Sequence, residues 1–200
     1  DGSIFFSKTL KFSGIGESSI AEQIEDLLNS RNPTVAPYAN LGEVKLRITA
    51  KSTNKDEAIK GIQPIKEELE RKFNKYIFGE DNDTLSSVII RLLKDRKESI
   101  VFAESCTGGL LSSSITSEAG ASEIFKGGII AYSNEIKQNL LEVPKSLVDT
   151  HGAVSEEVAE KMAIGVKNKL NADWAIAISG IAGPQGGTEM KPVGLVYISI

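Results

Sequence analysis

The chain has 200 residues, 40% of them hydrophobic and 25% charged, which is near the average of soluble globular proteins and enough for one large or two small domains. Its net charge of −4 at pH 7 and isoelectric point of about 5.2 lack the clustered positive excess of proteins that follow a nucleic acid backbone. The single cysteine, Cys106, excludes an intrachain disulfide and a Cys-rich zinc site, and it favours a reducing cytoplasm.

The chain opens with a predicted strand and helix. Apolar and then alternating residues predict a strand over 4–12. Ser19 and Glu22 have the spacing of a capping box, so we expect a helix to begin there and to end near Pro33. Its apolar stripe consists of Ile20, Ile24, Leu27 and Leu28.

A hairpin, a helix and a short strand follow. Strands over 34–38 and 43–50 bracket a turn at 39–42, and alternation in the second strand predicts a hairpin with one wet face. The next apolar stripe predicts a long amphipathic helix in which Pro64 either introduces a kink or lies in the first turn. The stripe consists of Ala58, Ile59, Ile62, Ile65, Leu69 and Phe73. Residues 76–78 form a closing strand.

The resulting βαββαβ order places two helices on one face of a small sheet. This first part, about 78 residues long, has no histidine, no cysteine and no recognised phosphate loop. We therefore expect a spacer or dimerisation module. As partner we expect a second copy of the chain, in a homodimer. The acidic, turn-rich run 79–83 is interpreted as a linker.

The part after the linker alternates helices with strands. Asp83 is predicted to cap a helix over 84–93, and a strand over 99–102 leads through a turn at Ser105 into a helix over 110–115. The first of these helices has an apolar stripe of Leu85, Val88, Ile89, Leu92 and Leu93.

Further strands and helices complete this part. A second buried strand over 127–132 precedes a short helix that carries Lys137. Ser155 starts a helix whose core stripe is Val158, Ala159, Met162, Ala163, Val166 and Leu170. Strands over 174–178 and 193–200 follow, the former apolar enough to be buried on both faces. The alternation indicates a layered α/β domain.

The turn at Ser105 is the candidate for chemistry. It leaves the serine at a sheet edge beside the first free N–H groups of a helix, which favour an anion or a developing oxyanion. Gly108 and Gly109 allow a ligand to approach the backbone closely. The segment 103–109 fits equally well a serine N-cap before a glycine-softened helix start.

A serine hydroxyl needs a base to act as a nucleophile. The only histidine, His151, is expected in a loop between two helices. A lysine can serve instead, in the Ser-Lys manner of amide hydrolases. At a pKa of about 10.4 only roughly one lysine in 2,500 is neutral at pH 7, a handicap of about 4.6 kcal/mol, so burial or a nearby cation must lower that pKa.

Lys137 is the best-placed lysine, because it follows the end of a buried strand by one to two helical turns and lies alongside Tyr132. Tyr132 has the chemistry to relay the proton or orient the amine. The alternative is an ordinary solvated lysine. Cys106 is a rival nucleophile that would need a cationic or imidazole partner, and a small buried thiol is the commoner case.

A glycine loop spans 179–188 after a buried strand and contains four glycines. Its N–H groups suit a phosphate, although the Gly-Lys-Ser/Thr ending of a Walker loop is absent, and a mobile loop is the alternative. The serine turn, the lysine segment and this loop follow neighbouring strands, which is where open α/β sheets bind ligands. No apolar run reaches the roughly 20 residues of a membrane span, and no leader opens the sequence.

These segments carry a family resemblance. Five motifs occur in order: AESCTGG at 103–109, GG at 127–128 with AYSNE at 131–135 and Lys137, HGAVS at 151–155, SGIAGP at 179–184 and KPVG at 191–194. With these motifs, residues from about 84 to 200 resemble the C-terminal domain of the competence-inducible CinA family, which in turn resembles the PncC family of nicotinamide mononucleotide deamidases. Residues 1–80 resemble the middle, KH-type domain of CinA at 14–18, 32–34 and 76–81.

The resemblance implies a KH-type α+β domain over 1–79 and a layered α/β deamidase domain over 84–200. It also implies hydrolysis of the carboxamide of nicotinamide mononucleotide to the acid and ammonia, without a metal or cofactor. Ser105 would be the nucleophile, Lys137 the base and Tyr132 its polar partner. The implied substrate-binding residues are Thr107, Gly108, Gly109, Ser179, Gly180, Gly183, Gly186 and Gly187.

The chain departs from the family pattern in three respects. Ser179 stands where the family usually has threonine. The N-terminal nucleotide-hydrolase domain of CinA and the end of the deamidase domain beyond Ile200 are missing. Because the sequence also lacks an initiator methionine and stops inside an apolar run, we interpret it as a piece of a longer protein.

Two other functions remain open. One is an accessory binding module without catalysis, whose KH-type part holds RNA or DNA and whose α/β part senses a nucleotide. Residues 1–80 lack the GXXG spacing of nucleic-acid-binding KH domains, so nucleic acid is not the expected partner. The other is an interaction scaffold without catalysis. The amidase hypothesis predicts a small nucleotide substrate and no membrane partner.

Overall fold

The computed structural model describes residues 2–40 and 42–200. The described residues up to Val88 form one compact unit and residues 89–200 form a second. No helix in the described part of the chain is long and apolar enough to cross a membrane.

The first unit is a four-stranded antiparallel sheet with the order β2-β3-β1-β4 and the predicted βαββαβ sequence of elements. The elements are β1 (Ile4–Phe12), α1 (Glu17–Gln23), α2 (Glu25–Leu28), β2 (Thr34–Asn40), β3 (Glu43–Ser52), α3 (Lys55–Phe73) and β4 (Ile77–Glu80). The prediction of a small α+β fold is confirmed.

One face of this sheet carries the core. Leu10 pairs with Leu46 across β1 and β3, and both are fully buried against the helices, whereas Arg47 on the other face is exposed. Alternation of side chains explains this division, and the hairpin with one wet face is confirmed. Within the predicted turn at 39–42, Leu41 lies outside the described residues.

The first helix begins earlier than predicted. Gly16 has extended backbone dihedrals, and its carbonyl accepts from the N–H of Ile20 (3.1 Å), so α1 begins at Glu17 and Ser19 lies inside the helix. The capping box at Ser19 is therefore wrong. The helix breaks at Ile24, whose N–H turns back to the carbonyl of Ala21, but the predicted apolar stripe still faces the core.

Pro64 lies in the middle of α3, which is capped by the Asn54 side chain. The linker is shorter than predicted, because Gly79 and Glu80 belong to β4. Asp83 does not cap the next helix, because its carboxylate accepts from the N–H of Glu80. The Thr84 hydroxyl accepts instead from the N–H of Ser87, in the first turn of that helix.

The second unit has a sheet of order β6-β5-β7-β8, in which β8 alone is antiparallel to its neighbour. The elements are α4 (Leu85–Arg96), β5 (Ile100–Glu104), α5 (Leu110–Thr116), β6 (Phe125–Ile130), α6 (Asn134–Leu141), α7 (Lys145–His151), α8 (Glu156–Leu170), β7 (Trp174–Gly180) and β8 (Val196–Ser199), with a 3₁₀ turn at Ala121–Glu123. The predicted layered α/β architecture is confirmed.

Side chains of β5 alternate between two helical layers. Val101 and Ala103 pack in a cluster with α6, α7 and α8, whereas Ile100 and Phe102 pack in a second cluster with α4 and α5. The same alternation must direct the next two residues of the chain to opposite faces of the sheet. It therefore decides which helix Glu104 and Ser105 each meet.

The predictions for the second strand and for His151 are wrong. The strand β6 is partly exposed along its length, because it lies at the edge of the sheet and has a neighbour on one side only. His151 is the last residue of α7 and not part of a loop, since the helix continues until Gly152 adopts a positive φ of 76°.

Candidate active site

Ser105 lies where three parallel strands end. Its N–H donates to the carbonyl of Ile178 in β7 (2.9 Å), and the preceding carbonyl of Glu104 accepts from the N–H of Ala131 after β6 (2.7 Å). These bonds fix the end of β5 from both sides. Ser105 is 8% exposed. The site thus occupies the carboxyl edge of the sheet, where α/β proteins bind ligands.

Lys137 brings an amine to that serine. It lies on α6, which begins after the Ser133 N-cap, and it is only 1% exposed. Its Nζ lies 3.0 Å from Ser105 Oγ, 2.7 Å from the carbonyl oxygen of Ala131 and 3.0 Å from that of Tyr132. The lysine therefore reaches back past the start of its own helix to the end of β6.

Lys137 Nζ faces three acceptors. It donates to the carbonyls of Ala131 and Tyr132 and to Ser105 Oγ. A neutral amine has two N–H donors and one lone pair, so with both carbonyls still bonded, deprotonation would turn the lone pair toward the Ser105 hydroxyl. Burial lowers the pKa of Lys137 below its usual 10.5, and the Cys106 thiol opposes that change.

Tyr132 contacts Lys137 through its main-chain carbonyl and not through its phenol. The side chain is 73% exposed and lines the adjoining cavity. In this arrangement the carbonyl orients the amine, and the ring is available to a ligand. The sequence did not separate these two parts of the residue.

A cavity of about 250 Å³ opens beside the serine. Its walls come from the serine turn, the end of β6 and the glycine loop, and they consist of Ser105, Cys106, Tyr132, Gly180, Ile181, Ala182, Gly183, Gln185 and Gly186. Three of the predicted substrate-binding glycines thus lie at the cavity. Thr107, Gly108, Gly109, Ser179 and Gly187 are not among the lining residues.

Close packing also explains why two positions of the loop are glycines. A Cβ on Gly180 would lie 2.8 Å from the carbonyl oxygen of Leu195, and Gly183 has a φ of 79° and would place a Cβ 2.5 Å from Val193. The loop must pass this close to the segment that returns to β8, and only glycine allows it. The buried Ser179 donates its hydroxyl to the carbonyl of Ala153 (2.7 Å).

Lys191 lies between the glycine loop and β8, and it ties this segment to the connection between α7 and α8. Its Nζ donates to the carbonyls of His151 and Val154, each at 2.6 Å. The first of these belongs to the last residue of α7, where a cation is favourable. In the sequence this lysine stands out only as the first residue of the KPVG motif at 191–194.

Glu104 is the residue that sequence reasoning missed. Its buried carboxylate accepts from the N–H groups of Gly109 (3.1 Å), Leu111 (3.0 Å) and Ser112 (2.8 Å) and from the Ser112 hydroxyl (2.6 Å). The N–H groups of these three residues, expected to be free at the helix start, are therefore already bonded to an anion that the chain itself supplies. The available signal was a charged residue inside an otherwise apolar strand.

The glycine pair before α5 serves the backbone. Gly108 and Gly109 have φ values of 59° and 103°, which side chains rarely allow, and the Gly108 N–H donates to the carbonyl of Ser105 (3.1 Å). In residues 2–40 and 42–200 no acceptor bonds to the N–H groups of Cys106 and Thr107. These two remain the available main-chain donors of the turn.

The two alternative reactive residues are placed differently. Cys106 is partly exposed at the cavity, so the expectation of a buried thiol is wrong. His151 Nδ1 lies 3.0 Å from Glu157 Oε1, and the residue does not line the cavity. Among the described residues no three His, Cys, Asp or Glu side chains cluster in a way that would hold a metal ion.

Comparison with known families gives a consistent result for both units. Residues 82–200 match the model of the CinA C-terminal domain, and residues 7–79 match that of the damage-inducible protein CinA KH domain. The chain is 70% identical over 200 residues to a CinA-like protein of Prochlorococcus marinus subsp. pastoris, covering all of this chain and 46% of that protein. A CinA-like protein of Synechococcus sp. is 50% identical over 198 residues, with 99% and 47% covered. The chain thus spans about half the length of the curated relatives it matches.

Solved structures match 57% of the chain. The competence/damage inducible protein CihA from Agrobacterium tumefaciens is 40% identical with a TM-score of 0.56, over 57% of this chain and 69% of that one. The competence damage-inducible protein A from Klebsiella pneumoniae is 37% identical with a TM-score of 0.56, over 57% and 71%.

Proposed function

The chain belongs to the CinA family, and on that premise we propose that it hydrolyses the carboxamide of nicotinamide mononucleotide to nicotinic acid mononucleotide and ammonia. Ser105 is the nucleophile and Lys137 is the base. The observation that carries the proposal is the distance of 3.0 Å between Lys137 Nζ and Ser105 Oγ, with the other two contacts of the amine made to carbonyls.

The first half-reaction forms an ester. The lone pair of Lys137 takes the hydroxyl proton while Ser105 Oγ attacks the carboxamide carbon. The N–H of Cys106, which follows the nucleophile, is a donor available for the oxyanion. The tetrahedral intermediate then breaks its C–N bond, and the lysine ammonium returns the proton to the leaving nitrogen, so that ammonia departs.

The second half-reaction consumes water. Lys137 removes a proton from water as its oxygen attacks the ester carbon, and the proton passes to Ser105 Oγ as the C–O bond breaks. The products are the nucleotide acid and the original enzyme. The loop that contains Gly180, Gly183 and Gly186 supports a place for the nucleotide beside Ser105, and the exposed ring of Tyr132 offers a face for the pyridine.

The KH-type unit has a different proposed role. Residues 1–80 have no GXXG loop, the element with which KH domains clamp a nucleic acid backbone. We propose that this unit acts as a spacer or dimerisation module for the amidase unit.

Ammonia release from nicotinamide mononucleotide by the complete protein tests the proposal. We expect Ser105→Ala to lower kcat by a factor of about 10³ or more, while the exposed, matched Ser113→Ala keeps the wild-type rate. Nicotinamide riboside and free nicotinamide serve as comparison substrates that lack the phosphate. If the Ser105→Ala variant still releases ammonia and a Cys106→Ala variant does not, the nucleophile is the cysteine instead.

A further inference from the structure

Glu104 is a buried charge held by four donors. It is 1% exposed, and its two oxygens accept from the N–H groups of Gly109, Leu111 and Ser112 and from the Ser112 hydroxyl at 2.6–3.1 Å. Burial alone would raise the pKa of Glu104, but its hydrogen bonds, those from Ser112 foremost, outweigh burial, so the pKa falls below 4.5. An ionised carboxylate buried this deeply is stable only with such partners.

The carboxylate spans the turn that carries the nucleophile. Its own residue ends β5, and its hydrogen-bond donors begin α5, so it closes a loop around the segment 105–108. The strand side of that loop is fixed by main-chain bonds to Ile178 and Ala131. Because the helix side is fixed by the carboxylate, both ends of the segment are held.

Alternation along β5 separates the two side chains. Glu104 points into the layer of α5, where its donors lie, and Ser105 points into the layer of α6, where Lys137 lies. The carboxylate therefore does not contact the reacting hydroxyl. It acts on Ser105 and on the free N–H groups of Cys106 and Thr107 through the backbone.

We propose that Glu104 is a positioning residue for the amidase reaction, an inference that rests on the proposed function. Its carboxylate holds the start of α5 against the end of β5. It thereby keeps Ser105 Oγ next to Lys137 and keeps the neighbouring N–H donors next to the oxyanion. A shift of the turn by a fraction of an ångström would lengthen both sets of contacts. Reactions that depend on such alignment lose rate and not ground-state binding.

A matched pair of serines gives the mildest test. Ser112→Ala removes one charge-assisted hydrogen bond to Glu104, whereas the adjacent Ser113 is exposed and does not touch the carboxylate. In the complete protein we expect Ser112→Ala to lower kcat about tenfold with KM within about twofold, and Ser113→Ala to match the wild type. Equal rates for both variants, or a change in KM alone, would overturn the proposal.

The carboxylate itself is tested by substitution and chemical rescue. Glu104→Gln keeps the shape but presents an amide to the N–H donors, and we expect kcat to fall about 100-fold. Glu104→Gly leaves space for formate, and added formate at constant ionic strength should restore kcat at least about tenfold and raise the melting temperature of this variant alone. A folded Glu104→Gln with wild-type kcat would overturn the proposal; if Glu104→Gly does not fold, Glu104→Gln and Ser112→Ala decide.

Failure of the proposed function can be recognised separately. Wild-type protein that releases no ammonia from nicotinamide mononucleotide would contradict the amidase proposal. The rate at which a fluorophosphonate labels Ser105, followed by mass spectrometry, then carries the test of Glu104. Slower labelling of Glu104→Gln and Ser112→Ala than of Ser113→Ala supports a positioning role, and equal labelling overturns it.

Discussion

The role of Lys137 as a neutral base makes a quantitative prediction. Arginine also has a long side chain with N–H donors for the carbonyls of Ala131 and Tyr132, but it stays charged because it is not deprotonated in proteins. Lys137→Arg therefore preserves the donors and removes the lone pair. If the lone pair takes the proton from Ser105, we expect Lys137→Arg to lower kcat by a factor of about 10²–10⁴.

A neutral lysine base also makes the rate depend on pH. An unperturbed lysine with a pKa of about 10.4 is neutral in roughly one molecule in 2,500 at pH 7, and each unit by which burial lowers the pKa recovers about 1.4 kcal/mol of that handicap. Burial lowers the pKa of Lys137 below 10.5. We therefore expect kcat/KM to rise tenfold per pH unit up to that lowered pKa and then to level off below pH 10.5.

The assay is ammonia release by the complete protein from about pH 5 to about pH 10, which covers the approach to a lysine pKa lowered from its usual value. Lys145→Arg is the matched control, because Lys145 forms an exposed pair with Asp149 on α7. It should behave as the wild type. A flat wild-type profile over this range, or Lys137→Arg with more than about a tenth of the wild-type kcat, would refute a neutral lysine base.

The remaining predictions concern the loop and stability. Lys191→Met removes the two hydrogen bonds that tie the loop 181–195 to the α7–α8 connection. Steady-state kinetics should therefore show a KM for nicotinamide mononucleotide raised about tenfold, with kcat within about threefold of the wild type. An unchanged KM would contradict this prediction. Folded Lys137 has a lowered pKa, so between the folded pKa and 10.5 the unfolded chain binds more protons, and wild-type stability must rise with pH in that window. Urea unfolding should therefore show the wild type gaining stability relative to the non-titrating Lys137→Met as pH rises toward 10.5, and a constant difference would exclude this effect.

Most of the fold was predictable because it depends on local patterns. The alternation in β3 and the stripe of α8 each report one buried face, and the structure places those residues in the two cores. Helix starts were less reliable. The Ser155 cap is present, but the Ser19 box is not used, because Gly16, three positions earlier, is already the extended residue whose carbonyl accepts the first helical hydrogen bond.

The exposure of β6 could not be read from its sequence. Residues 127–132 are as apolar as a central strand, but the order of strands in the sheet decides which strand has two neighbours. That order depends on packing between distant elements. A single strand's composition therefore does not distinguish an edge position from a buried one.

The candidate site, like the fold, was predictable only in part. The strand-to-helix turn marks Ser105 and the N-cap at Ser133 marks the helix of Lys137, and the structure brings these two side chains to 3.0 Å; their catalytic roles stay predictions. Which N–H groups are free was not predictable. The donors of a helix start look available in any sequence, and only the fold shows that Glu104 has already taken them.

That occupied helix start has a consequence for how a nucleotide is held. Two unit charges about 5 Å apart repel by about 3 kcal/mol at an effective dielectric constant of 20, so a phosphate beside α5 would oppose the buried Glu104 carboxylate. Substrate charge is better accommodated across the cavity, where Gly183 and Gly186 expose main chain. The loop that carries them is held to the rest of the unit by Lys191. On this argument Glu104 aligns the nucleophile and Lys191 aligns the nucleotide, so their substitutions should change kcat and KM respectively, and the two effects should be additive in a double variant.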